Sequence, residues 1–259
     1  MKVVELQGVT NVRDFGGIPT ANGYIVTPGL FYRGGTLADA TAEDQRILFD
    51  ELGICCVVDV RCGWEREAKP DVQVPGVENL HIPFYDLEIV GIEYTEPVEG
   101  TIAVGRDFAC DPDHFYRSLA NPLTVAQMGK ALHAVFERTC QGAPVYEHCS
   151  GGKDRAGIMA LLTLTVLGVG REAILEDYLL TNVARDKNYD KLYARFLRLA
   201  DGNEELAREL TNSHRARPQN LDAFYEAIDE AYGSMDAFVR NQLGFDDAEI
   251  TYICEQCTV

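Results

Sequence analysis

The sequence predicts an α/β protein with a central, mainly parallel sheet, helices on both faces and additional C-terminal helices. Two observations indicate this fold. Short apolar runs, typical of strands buried on both faces, alternate with longer segments of helical periodicity. From residue 171 onward the pattern is helical throughout. The 259 residues contain no repeat, low-complexity tract or Gly/Ser linker, so we expect one domain over 1–259.

The N-terminal half and the centre supply the predicted strands. A hairpin is expected over 17–26, with its turn at Asn22-Gly23. Thr41 and Asp44 have capping-box spacing and predict a helix that Gly53 ends. Continuous apolar runs predict three buried strands, at 54–60, 80–84 and 143–146.

Helical periodicity predicts the remaining elements. One helix is expected at 124–139, and a strongly apolar helix at 156–167 follows the third strand. Later helices are expected at 171–182, 187–200, 203–212, 219–231, 235–242 and 246–256. Ligands of parallel sheets bind at the carboxyl ends of the strands. The glycine-rich turn after the third strand is therefore the expected site.

Composition and charge restrict the class of function. The formal charge is −18, so we expect neither nucleic-acid binding nor stable association with a membrane surface. No apolar run approaches the length of a membrane span, and the N-terminus lacks a secretory signal pattern. Eight cysteines without a secreted disulfide pattern favour a reduced, cytoplasmic setting, although export without a signal stays open.

One segment departs from the acidic average. Residues 183–217 contain eight basic and six acidic residues. Within them Lys191, Arg195 and Arg198 recur at helical spacing beside an apolar stripe. Two interpretations follow. The stripe is either ordinary core packing, or it belongs to a mobile helical lid within 186–217 that attracts anions and excludes water on closing.

The segment from His148 to Gly157 carries the chemistry, with the sequence His-Cys-Ser-Gly-Gly-Lys-Asp-Arg-Ala-Gly. A short glycine-rich loop between strand and helix can turn its backbone N–H groups inward as a nest for an anion. The same dipoles favour the thiolate of Cys149, which is the nucleophilic form. Arg155 offers a planar fork that binds two phosphate oxygens at once. This arrangement suits in-line attack of sulfur on a phosphate.

The segment resembles the HCx5R signature loop of the protein tyrosine phosphatase superfamily. Its Gly-Lys-Asp-Arg part resembles the bacterial HCxxGKDR phosphatases, which act on phosphotyrosine and, in several members, on phosphoinositides. Two other motifs are similar to that group: Asn-Val-Arg-Asp-Phe-Gly-Gly at 11–17 with Phe-Tyr-Arg-Gly-Gly at 31–35, and Val-Val-Asp-Val-Arg at 57–61. The resemblance spans nearly the whole chain.

The resemblance implies a tyrosine-phosphatase-like fold and a protein tyrosine phosphatase that acts through a cysteinyl-phosphate intermediate. It implies neither a metal ion nor a cofactor. The expected substrate is a phosphotyrosine protein, with a phosphoinositide or inositol polyphosphate as the alternative. A pseudophosphatase that only binds phosphate is a second alternative, although Cys149 and Arg155 are both present.

Site roles follow from the resemblance residue by residue. Cys149 matches the nucleophile, and Lys153 matches a lysine that reaches substrate phosphate. Asp154 matches an aspartate proposed as the general acid; the alternative is a loop aspartate that only pairs with Lys153 or Arg155. Asp86 is the rival acid, because many members carry that acid on a separate loop. Phosphate is expected to contact Ser150, Gly151, Gly152, Lys153, Asp154 and Arg155.

Other matched residues are expected to support the loop from behind. His148 is expected to orient the loop by hydrogen bonding; the other residues of this group are Asp59, Arg61, Arg13 and Asp14. One position departs from the superfamily pattern. Ala156 stands where a Ser or Thr hydroxyl usually stabilises the departing thiolate, which predicts slower breakdown of the intermediate.

Overall fold

The computed structural model describes residues 2–85 and 112–259. Asp86, the rival candidate for the general acid, lies outside the described residues. The described strands form one six-stranded sheet with the spatial order β1-β2-β3-β6-β4-β5. β3, β6, β4 and β5 are parallel, whereas β1 and β2 pair antiparallel at one edge. The strands are β1 (Lys2–Val3), β2 (Arg13–Asp14), β3 (Phe31–Gly34), β4 (Cys56–Asp59), β5 (Glu78–His81) and β6 (Val145–His148).

Eleven α-helices are described, and the first continues into a π-helical turn at Arg46–Glu51. The predicted helical segments are confirmed, with ends that differ by only a few residues. Local periodicity and capping residues therefore determine these elements. The helices are α1 (Ala42–Gln45), α2 (Gly63–Ala68), α3 (Pro112–Ser118), α4 (Pro122–Thr139), α5 (Arg155–Val166), α6 (Arg171–Ala184), α7 (Asp186–Leu199), α8 (Glu204–Ser213), α9 (Pro218–Tyr232), α10 (Met235–Asn241) and α11 (Asp247–Cys257).

Each face of the sheet contributes to its own hydrophobic cluster, because side chains alternate along a strand. The larger cluster includes Phe31, Val58 and Val145 and extends into α4, α5 and the C-terminal helices. The smaller cluster, on the opposite face, includes Tyr32, Val57 and Tyr146 together with Leu48 of the π-helical turn. The predicted mainly parallel sheet covered on both faces is confirmed.

Local signals near the N-terminus are also confirmed. Thr41 accepts a hydrogen bond from the backbone N–H of Asp44, whose carboxylate accepts one from Thr41, as a capping box requires. Pro19 and Ile25 pair antiparallel around the turn that contains Gly23, which has a φ of 86°. No helix in the described ranges is long and apolar enough to cross a membrane.

Two strand predictions need correction. The predicted strand at 80–84 lies at Glu78–His81 and forms a half-exposed sheet edge, so it is not buried on both faces. β3 was not predicted as a strand, although it lies at the centre of the sheet beside β6. Its sequence is only Phe-Tyr-Arg-Gly, and the buried Arg33 hides the apolar pattern that a central strand normally shows.

Candidate active site

Residues 149–154, the signature loop, lie between the end of β6 at His148 and the start of α5 at Arg155. β3 and β4 flank β6 in parallel, so the loop emerges at the carboxyl edge of the sheet. Gly152 has a φ of 66°, and a Cβ here would come within 2.4 Å of the carbonyl carbon of Gly34. Only glycine therefore lets the loop lie against the end of β3.

The carbonyl groups of the signature loop are held from behind. Asn11 donates from Nδ2 to the carbonyl oxygens of Gly152 (2.8 Å) and Gly151 (3.3 Å). Arg33 donates from Nη2 to those of Gly152 (3.0 Å) and Lys153 (3.2 Å). Within the described part of the chain, no group accepts a hydrogen bond from the loop's own N–H groups between Ser150 and Lys153. The backbone is therefore arranged to receive an anion.

A buried ion cluster fixes these two donors. Asp177 on α6 accepts from Nε of Arg13 (2.7 Å) and from Nη1 of Arg33 (2.6 Å). Nη1 of Arg13 also donates to the side-chain oxygen of Asn11 (2.7 Å), which leaves the amide nitrogen of Asn11 for the loop. Burial would raise the pKa of Asp177, but the two guanidinium charges outweigh it and lower this pKa. Arg13 is thus connected to the loop through Asn11.

Sequence analysis missed Asn11, Arg33 and Asp177 as residues that hold the loop. Asp177 lies on the buried face of α6 with Ile174 and Tyr178. An aspartate on an apolar helix face is the one signal that could have identified it, because a buried carboxylate requires a partner.

A second network lies around His148 at the end of β6. Nη2 of Arg61 donates to Asp59 (2.7 Å) and to Asp71 (2.6 Å), and Nε2 of His148 is 3.2 Å from an Asp71 oxygen. Burial would raise the pKa of Asp71, but the hydrogen bond and charge of His148 and the charge of Arg61 lower it to about 2. Asp59, Arg61 and His148 therefore lie together at the end of β6, joined by Asp71, which sequence analysis missed.

Asp59, Asp71 and His148 bring ligand atoms within 4.8 Å of one another, as metal ligands do. The guanidinium of Arg61 already binds both carboxylates, so this side chain supplies the positive charge that the acidic pair requires. The geometry thus supports a structural ion network at this position.

The expectation that Asp14 supports the loop is wrong. Its two carboxylate oxygens accept hydrogen bonds from the backbone N–H groups of Gly16 (2.7 Å) and Gly29 (2.8 Å). Asp14 therefore joins the two ends of the N-terminal hairpin region.

Glu65, on the first turn of α2, binds Arg155 through both carboxylate oxygens. Nη2 of Arg155 donates to Oε1 at 2.8 Å, and Nη1 donates to Oε2. The hydroxyl of Ser150 also donates to Oε1, at 2.5 Å. Burial would raise the pKa of Glu65, but its bond to Arg155 and that residue's charge lower it to about 2. Sequence analysis missed Glu65, whose only signal was its capping-box spacing from Cys62.

Asp154 lies at the start of α5, where Tyr116 donates a hydrogen bond of 2.5 Å to its carboxylate. The hydroxyls of Tyr116 and Tyr178 are 2.6 Å apart. Nζ of Lys153 is 3.3 Å from the same carboxylate. Burial would raise the pKa of Asp154, but the charge of Lys153 and the bond from Tyr116 lower it. The pairing of Asp154 with Lys153, which the alternative interpretation predicts, is present; the acid role stays a prediction.

Cys149 is 2 % exposed and Ala156 is fully buried at the base of the site. The Ser150 hydroxyl, which could have replaced a hydroxyl at position 156, instead donates to Glu65. Cys149 is thus the first residue of the signature loop and Arg155 directly follows its last.

Comparison with known proteins agrees with this geometry. Residues 4–258 match the model of a tyrosine phosphatase family. A tyrosine-protein phosphatase of Cupriavidus necator is 30% identical over 250 residues, covering 93% of this chain and 84% of that protein. The triple specificity protein phosphatase PtpB of Mycobacterium tuberculosis is 28% identical over 270 residues, covering 93% of this chain and 94% of that one. The chain therefore belongs to the tyrosine phosphatase family and is a cysteine-dependent phosphoric monoester hydrolase.

Proposed function

We propose that the protein hydrolyses phosphomonoesters in two steps, with Cys149 as the phosphate carrier and Arg155 as the phosphate-binding side chain. The hydrogen bonding of the signature loop is the observation that supports this proposal. Asn11 and Arg33 bind its carbonyl groups, and no described group accepts from its N–H groups between Ser150 and Lys153, which are therefore available to phosphate oxygens. The geometry favours a tetrahedral anion held against a buried thiol.

In the first step the thiolate of Cys149 attacks phosphorus in line. The S–P bond forms, the bond from phosphorus to the ester oxygen breaks, and Asp154 gives its proton to that oxygen. The pKa of Asp154 is lowered in the free site, chiefly by Lys153 against the effect of burial. A bound phosphate dianion adds negative charge beside the carboxylate, which favours the protonated form that the acid role requires.

In the second step water attacks the phosphorus of the cysteinyl phosphate. A P–O bond forms, the S–P bond breaks, and the carboxylate of Asp154 takes a proton from the attacking water. Inorganic phosphate leaves, and Cys149 returns as the thiolate. Ala156 has no hydroxyl to donate to the sulfur, so this step is expected to limit turnover of activated esters.

The primary substrate class that we propose is phosphotyrosine protein, since the chain belongs to the tyrosine phosphatase family. Phosphoinositides and inositol polyphosphates are the second candidate class. Lys153 supports that alternative, because its ammonium lies beside the loop and offers a further charge to a multiply phosphorylated ligand.

We also propose that the protein acts in the cytoplasm. Every cysteine in the described ranges has a free thiol. Free thiols are typical of reducing compartments.

Hydrolysis of p-nitrophenyl phosphate by the wild type and by Cys149→Ser tests the mechanism. We expect turnover that persists with a metal chelator, is inhibited by vanadate and disappears in the serine variant, because serine is not ionised at neutral pH. Tight vanadate binding by wild type without turnover would instead indicate a pseudophosphatase. More than trace turnover by a purified, folded Cys149→Ser variant would sink the mechanism.

A further inference from the structure

Arg185, which follows α6, lies directly beside the signature loop. Its guanidinium atoms are 3.3–3.4 Å from the position that a Cβ of Gly151 would occupy. Its Nε is buried and has no hydrogen-bond partner among the described residues. Desolvating a guanidinium nitrogen without an acceptor is unfavourable. This position therefore suits an anionic ligand.

Arg215, beyond the end of α8, lies near the same tyrosine ring as Arg185. Its guanidinium carbon is 4.3 Å from the ring centroid of Tyr189, and that of Arg185 is 5.6 Å from the same centroid. The ring is buried, and its hydroxyl donates to Asn182 at 3.2 Å, so the platform is fixed. Both guanidinium groups thus lie near one aromatic ring, and a bound anion would relieve the repulsion between their charges.

These two arginines differ from most others in the chain. Among the described residues, ten arginines form ion pairs with carboxylates, and Arg185 and Arg215 form none. Arg66, Arg171, Arg195 and Arg198 also form none among the described residues, so the feature that distinguishes Arg185 is its position beside Gly151 of the signature loop.

We infer that Arg185 and Arg215 form a second anion subsite beside the phosphate pocket, which selects substrates with a second phosphate close to the scissile one. This inference rests on the proposed function and favours its second substrate class. The contact between Arg185 and Gly151 requires the two anions to be near each other. A compact polyol with phosphates on neighbouring carbons meets this requirement. In phosphotyrosine an aromatic ring separates the phosphate from other charges.

The test compares three esters: p-nitrophenyl phosphate, an inositol monophosphate, and the vicinal bisphosphate that shares its scissile group. We expect wild type to favour the bisphosphate in kcat/KM by roughly 10-fold or more, as charge-assisted hydrogen bonds allow. Arg185→Gln should remove most of this preference and Arg215→Gln part of it, while p-nitrophenyl phosphate turnover changes much less. Arg195→Gln, an exposed change on α7, is the matched control and should keep the wild-type ratio.

An unchanged bisphosphate-to-monophosphate ratio in both variants, or equal losses on all three esters, would overturn the subsite. Thermal melting verifies folding, and Arg215→Gln remains as a second probe if Arg185→Gln does not fold. When the same headgroups are presented in phospholipid vesicles, wild type and variants should show the same bisphosphate-to-monophosphate ratios of kcat/KM as with the soluble esters. A loss of the preference that occurs only with vesicles would indicate attraction to the membrane surface and would contradict recognition of the headgroup. If a doubly phosphorylated peptide has a higher kcat/KM than the bisphosphate, and Arg185→Gln removes this advantage, the inference that the subsite selects a compact ligand would be refuted.

Failure of the proposed mechanism is distinguishable from failure of the subsite. If wild type does not turn over p-nitrophenyl phosphate, the mechanism fails, but calorimetry on Cys149→Ser still measures the subsite. The bisphosphate should then bind roughly 10-fold more tightly than the monophosphate. Addition of Arg185→Gln should abolish that difference, and equal affinities before the substitution would overturn the inference.

Discussion

At the scale of single residues, Glu65 shows how a side chain outside the signature loop controls the loop's chemistry. It binds two guanidinium nitrogens of Arg155 and the hydroxyl of Ser150. Its pKa of about 2, lowered by Arg155 against the effect of burial, keeps the carboxylate ionised at neutral pH. Arginine has five N–H donors, so Glu65 orients the guanidinium of Arg155 and still leaves donors for a phosphate.

Glu65→Gln should weaken phosphate binding. The amide keeps the shape but loses the charge that orients Arg155, and hydrogen bonds to charged groups contribute about 1.5–3 kcal/mol. We expect kcat/KM for p-nitrophenyl phosphate to fall roughly 10- to 100-fold, with weaker inhibition by vanadate. Glu67→Gln is the control, because Glu67 is exposed on the same helix. A wild-type vanadate inhibition constant in Glu65→Gln would show that the pairing is dispensable.

Asp154→Asn tests the general acid. A general acid contributes roughly 10²–10⁴-fold, chiefly for poor leaving groups. Phosphotyrosine hydrolysis should therefore slow far more than hydrolysis of an aryl phosphate with a very acidic phenol. Asp86→Asn, measured on the same two substrates, decides between the two candidates. Equal losses on both esters in Asp154→Asn would point to a disturbed loop, since Tyr116 and Lys153 also bind this carboxylate.

Ala156 predicts the kinetic form of turnover. With no hydroxyl at this position and the Ser150 hydroxyl bound to Glu65, breakdown of the cysteinyl phosphate should be slow. Stopped-flow assays should show a burst of phenol, followed by a kcat that hardly depends on the leaving group. Ala156→Ser should raise kcat and shrink the burst. The absence of a burst in wild type, together with an unchanged kcat in Ala156→Ser, would mean that other donors compensate for the missing hydroxyl.

At the scale of elements, α7 and α8 pack against each other and are tied to the site at their ends. Nζ of Lys153 donates to the carbonyl of His214 at 2.9 Å, and Asn182 donates to that of Ala216 at 2.8 Å. Phe196 of α7 is buried near the His214 ring. The predicted basic row, Lys191, Arg195 and Arg198, is exposed to solvent. Arg185, rather than this row, lies beside the signature loop, and Arg215 lies near the same Tyr189 ring as Arg185.

The lid within 186–217 stays a prediction, and hydrogen exchange distinguishes it from core packing. A lid opens locally, so amides of α7 and α8 should exchange faster than those of α5 and gain protection when vanadate binds. α4, which packs on the sheet, provides the internal reference. Strong protection of 187–212 that does not depend on ligand would eliminate the lid.

At the scale of the whole molecule, charge sets the dependence of stability on pH. Glu65 and Asp71 each have a folded-state pKa of about 2, lowered by Arg155 and by His148 with Arg61 against the effect of burial. Such groups stabilise the fold above their unfolded pKa of about 4, and the contribution disappears as pH falls toward 2. The net charge of −18 has the opposite effect, because repulsion among the acidic groups destabilises the fold at neutral pH. This repulsion decreases as the pH falls toward the pI of about 4.6.

Urea denaturation should therefore give the highest free energy of unfolding near pH 5–6 and a steep fall below about pH 4. Asp71→Asn should lower stability at neutral pH and reduce the steepness of the acid fall, because one of the two groups no longer titrates. Asp39→Asn, at an exposed carboxylate, is the control. Unchanged stability between pH 6 and pH 3 would contradict this assignment of charge.

The sequence by itself determined the signature loop, the order of the helices and the mainly parallel sheet. These features depend on neighbouring residues: Cys149 and Arg155 lie six positions apart, and caps and periodicity act within a few turns. Only the tertiary structure decided which distant side chains hold the loop. Glu65, Asp71 and Asp177 come from three separate segments, and no local pattern shows which cation each will meet. Strand order and helix packing bring each charge to its partner, because a buried charge is stable only where the fold supplies one.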